Sequence, residues 1–60
     1  MKNSEYPHKE ERTDADTGGT YIVFSKHKKT DAEINSHIAR AVAQDGKVQP
    51  GMDFKIYLSS

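Results

Sequence analysis

The sequence predicts an α/β (or α+β) fold, a minimal β-α-β unit preceded by a disordered polar tail. Three observations carry that prediction. Residues 20–26, TYIVFSK, are dense in β-branched and aromatic side chains, the composition of a strand. Thr30-Asp31-Ala32-Glu33 has the T-x-x-E spacing of a capping box that opens a helix. Residues 52–58, MDFKIYL, alternate apolar and polar as a half-buried strand does.

Taken in order, residues 1–18 come first. Besides Met1, their one large hydrophobe is Tyr6, and they carry three basic against five acidic side chains. Such a stretch buries too little apolar surface to offset the entropy of ordering it. A disordered tail is expected, with folding on a partner as its functional version. Gly18 and Gly19 read as a flexible junction to a domain at 19–60.

In the first strand, about 20–26, Tyr21 and Val23 point to one face, Ile22 and Phe24 to the other. Two apolar faces mark a strand that is central or covered on both sides. The helix is expected over 31–45, with Asp31 and Glu33 at the positive end of its dipole and Gly46 as its stop. Its core stripe is Ile34, Ile38, Ala41 and Val42. Glu33, His37, Arg40 and Gln44 form a polar stripe, and Ala32, Ser36, Ala39 and Ala43 a stripe of small residues. Pro50-Gly51 suits the centre of a type II turn. In the second strand, about 52–58, Met52, Phe54, Ile56 and Leu58 face one way, and Asp53, Lys55 and Tyr57 the other.

Residues 27–51 separate the two strands, enough for a crossover helix. A right-handed unit with parallel strands is the leading topology, and an antiparallel arrangement with an unrecognised extra strand is the alternative. Either way the apolar side chains on hand fall short of what ordering residues 19–60 demands. Pairing of the first strand with its copy would complete a four-stranded sheet and a homodimer.

Composition restricts function. Lys plus Arg equal Asp plus Glu at 9 each, which disfavours strong non-specific nucleic-acid binding. Cysteine is absent, so neither a disulfide nor a thiolate ligand is available. No apolar run approaches a membrane span, and residues 1–19 hold no signal-like apolar segment. A cytoplasmic protein without membrane contact is expected.

His8, His27 and His37 lack zinc-ligand spacing, so no metal or cofactor is expected. A Ser25, His37 and Asp53 set can be written, but any chain this polar offers one. No phosphate-cradling loop is present, and a small core leaves little room for a substrate pocket. The chain therefore reads as no enzyme.

Two binding classes are left. Tyr21, Val23, Ala39, Ala43, Lys55 and Tyr57 are the candidate protein interface, with Tyr57 as anchor and the second strand as an edge for β-augmentation. The leading reading is a small regulatory or inhibitor-like accessory protein that occupies a partner protein's surface, as a homodimer. The alternative is a weak nucleic-acid binder using the loop Lys26, His27, Lys28 and Lys29 before the helix N-terminus, where backbone N–H groups would help hold phosphate.

Overall fold

The computed structural model describes residues 5–59. They form an α+β fold, a three-stranded mixed sheet with one helix. In chain order the elements are β1 (His8–Thr13), β2 (Thr20–Ser25), α1 (Asp31–Asp45) and β3 (Asp53–Leu58). β2 lies in the centre, antiparallel to β1 and parallel to β3.

β1 corrects the expectation of a disordered tail over 1–18; residues 1–4 of that stretch lie outside the described residues. Its sequence, HKEERT, has almost no apolar surface to bury. The strand forms because β2 offers main-chain partners along its whole length, with His8 opposite Ser25 and Thr13 opposite Thr20. The turn between them fixes the register. Asp14 accepts the N–H groups of Asp16 and Thr17 at its side chain, and its own N–H bonds the Gly19 carbonyl at 2.9 Å. Gly18-Gly19 is thus the closing of a hairpin instead of a loose junction. A charged strand is also a suitable edge, because it resists pairing with other chains.

The helix spans the residues expected from the sequence. Thr30 accepts from the Glu33 N–H at 3.2 Å while Glu33 accepts from the Thr30 N–H at 2.9 Å, so both halves of the capping box are made. The type II turn also stands: Gly51 takes φ +74°, and the Met52 N–H bonds the Gln49 carbonyl at 3.0 Å. Strand ends differ slightly from expectation. β2 stops at Ser25, and β3 starts at Asp53, leaving Met52 exposed outside it.

Alternation and register sort the sheet into two faces. His8, Glu10 and Arg12, then Tyr21, Val23 and Ser25, then Phe54, Ile56 and Leu58 share one face. This is the face α1 covers: Val23 is 0 % exposed, Tyr21 3 % and Ile34 of the helix 1 %. The Tyr21 hydroxyl donates to Asp14 Oδ2 at 2.9 Å and accepts the buried Val48 N–H at 3.2 Å. Arg12 donates to Asp31 at 2.7 Å, joining the β1 edge to the first turn of α1.

Both edges of β2 are occupied within the chain, by β1 and by β3. A four-stranded sheet built by pairing two copies of β2 therefore has no free edge to use. On its second apolar face, the one α1 leaves open, side chains of β1 and β3 flank Ile22 and Phe24, and Ile22 is only 8 % exposed.

The turn and the helix cap make stability depend on pH. The Asp16 N–H, with help from the Tyr21 hydroxyl, the Thr17 N–H and the Lys47 charge, holds the Asp14 carboxyl below its ordinary range despite some desolvation. The Thr30 N–H does the same for Glu33. A depressed folded pKa contributes stability above the unfolded value, and that contribution is lost as pH falls through the folded one. Lys47 has the opposite sign, raised by its bond to Asp16, so its contribution lasts to alkaline pH and then fades. Thermal melts followed by circular dichroism should show Tm level near neutrality and falling below about pH 4. Asp14→Asn with Glu33→Gln should flatten that fall; an unchanged acid slope would refute the assignment.

Candidate functional site

The face of the sheet opposite α1 carries Lys9, Glu11 and Thr13 from β1, Thr20, Ile22 and Phe24 from β2, and Asp53, Lys55 and Tyr57 from β3. At the end where β2 finishes, Phe24 and Tyr57 are register partners and their rings stack, with centroids 4.9 Å apart and planes 10° from parallel. That separation exceeds the roughly 3.5 Å of face-to-face contact, so the rings are offset from each other. Tyr6, ahead of β1, reaches across the sheet to meet Tyr57 edge-on at 5.3 Å. Tyr57 is nevertheless 57 % exposed.

Charge divides this open face along its length. Lys9 pairs with Phe24 in register, and the loop Lys26–Lys29 leaves β2 at the same end. Asp53 lies at the opposite end, beside Thr20, and Glu11 lies beside Ile22, where it also bonds Lys9 at 3.4 Å.

A second feature borders β3. Pairing with β2 on one side leaves the other edge of β3 unpaired among the described residues. The Thr20 N–H bonds the Met52 carbonyl, which fixes the phase of the parallel ladder. By alternation the main-chain groups of Phe54, Ile56 and Leu58 turn to β2, and those of Asp53, Lys55 and Tyr57 turn outward. Along this edge a groove of about 320 Å³ runs between β3 and α1, lined by His37, Arg40 and Gln44 on one side and Ile56 and Leu58 on the other.

The residues expected at a protein interface do not converge. Tyr21 and Val23 lie beneath α1, because their face is the one the helix needs for its core, so they are unavailable to a partner. Ala39 and Ala43 are exposed on α1, while Lys55 and Tyr57 are exposed on the opposite side of the sheet. In the basic loop, Lys26, His27 and Lys28 are exposed and Lys29 is half-buried. The adjoining helix N-terminus is a poor phosphate seat. Its Glu33 N–H is already bonded to Thr30, and the Asp31 and Glu33 carboxylates repel an anion there.

Ser25, His37 and Asp53 are not assembled. Ser25 donates to the His27 carbonyl at the end of β2, and Asp53 sits on the open face at the far end of β3. Among the described residues no three His, Asp or Glu side chains group to hold a metal ion, and no helix is long and apolar enough to cross a membrane. Sequence reasoning missed Tyr6, Lys9 and Phe24 as surface groups. The shared outward parity of Phe24 and Tyr57 was the available signal, hidden because the strand order was not known.

No model of a known protein family, no curated protein and no solved structure matches the chain.

Proposed function

We propose that the chain is a small non-enzymatic interaction protein that binds a partner protein by taking an extended segment of it along the outer edge of β3. The single observation behind this reading is the unpaired β3 edge, whose outward main-chain groups border the groove against α1. Main-chain hydrogen bonds along such an edge supply affinity, and a flanking groove supplies side-chain selectivity. The other edge, β1, is charge-rich and suits that role poorly. A second copy of the chain is the simplest occupant. Antiparallel pairing of β3 with its copy gives a homodimer with a continuous six-stranded sheet, and a partner's strand would replace that copy.

Proline substitution separates edge pairing from folding. Lys55→Pro removes an outward N–H and leaves the β2–β3 ladder intact, whereas Ile56→Pro removes a ladder bond. Sedimentation equilibrium over the micromolar range should show wild-type self-association that Lys55→Pro weakens at least tenfold, with an unchanged circular dichroism spectrum. Ile56→Pro should lose the fold. Self-association unaffected by Lys55→Pro, or none at all in the wild type, would refute pairing of copies through this edge.

A further inference from the structure

We propose that the aromatic end of the open sheet face is a binding platform for single-stranded nucleic acid. This site lies on the face of the sheet opposite α1 and uses side chains there, whereas the edge reading uses the outward main chain of β3. The Phe24–Tyr57 stack stands on the face opposite α1, where Tyr6 meets Tyr57 edge-on and Tyr57 as a residue is still 57 % exposed. A nucleobase can stack on such rings whatever its identity, because every base has a π-face. Uncovered sheets with outward aromatic rings are a recurrent way to hold unpaired bases.

Charge selects the polymer. Lys9 is the register partner of Phe24, Lys55 is two residues from Tyr57 on the same face, and Lys26, Lys28 and Lys29 follow at the same end. Asp53 is held at the far end of the sheet. Glu11 partly neutralises Lys9, so the loop lysines carry most of the attraction for a phosphate backbone. A protein partner meeting this patch would need acidic groups but no stacking planes. The coincidence of ring faces and cations favours a polymer that supplies both bases and phosphates. Duplexes are disfavoured because their bases are stacked on one another and offer no free face.

The test uses the full chain and labelled oligo-U and oligo-dT of about 12 nucleotides, with a duplex of equal length, read by fluorescence anisotropy at low salt. Both single strands, or one of them, should bind at least tenfold more tightly than the duplex, with affinity falling as salt rises. The two arms tell RNA from DNA preference. Tyr57→Ala, at an exposed position outside the core, should weaken binding about tenfold, and Tyr57→Phe should restore it. Lys28→Ala with Lys29→Ala should weaken binding and lower the salt slope by about one per lysine that touches phosphate. Failure to bind either single strand overturns the proposal. So does equal duplex binding, or affinity indifferent to Tyr57→Ala. If Tyr57→Ala abolishes self-association while no oligonucleotide binds, the face belongs to protein contact and the proposal falls.

Discussion

Ile34→Ala is expected to cost the fold about 3 kcal/mol, within the usual 2–5 for such truncations. Ile34 is the one helix residue that is fully buried, at 1 % exposure. It sits over the face where Tyr21 and Val23 are also sealed from water. Its flanking stripe members Ile38, Ala41 and Val42 are only half-buried, so they cannot take over its role. A chain of 60 residues holds on the order of 3–9 kcal/mol of net stability. Urea unfolding should therefore show the midpoint of Ile34→Ala lowered by about a third or more of the wild-type value, with Ile34→Val losing only about 1 kcal/mol. A midpoint within experimental error of wild type would mean that α1 is not anchored here.

Gly19→Ala is expected to be nearly as damaging, by an overpacking mechanism instead of a cavity. A Cβ at residue 19 would stand 2.5 Å from the Gln49 carbonyl oxygen and 2.6 Å from Val48 Cγ1. The first is backbone and cannot swing aside. Val48 is itself buried, and its N–H is held by the Tyr21 hydroxyl. The segment before β3 would have to lift off the hairpin, at a cost of about 1–3 kcal/mol or more. Gly18→Ala meets nothing within 4 Å, so its penalty comes from its positive φ alone. Thermal melts of the two variants should differ, with Gly19→Ala unfolding at the lower temperature. The reverse order would show that residue 19 has more room than its surroundings indicate.

Much of the fold was readable from local chemistry. The capping box, the core stripe of α1, the Pro50-Gly51 turn and the alternation of β3 each act within a few residues, and each appears where the sequence places it. β1 was not readable from hydrophobicity, because its stability comes from main-chain partners on β2 and not from its own side chains. The better cue was the turn chemistry of Asp14 to Gly19, an Asx-type cap ending in two glycines directly before an apolar strand. Missing β1 had a further effect. With the second edge of β2 left vacant, self-pairing of that strand looked necessary, and Tyr21 and Val23 looked available for contact. The surface groups depend on which face the helix takes. That choice follows from packing between distant segments, which a pattern of two apolar faces leaves open.

The phenol of Tyr6 ties the chain ahead of β1 to Tyr57 on the far strand, clasping the sheet from the side away from α1. An incoming ring on that side does not land on vacant ground. Where it seeks the part of Tyr57 that Tyr6 already meets, it competes with a tethered side chain that never diffuses away. A lone planar molecule gains little from such an exchange. A ligand that engages several points together can displace the tether and still hold on, so the clasp favours long chains over their fragments.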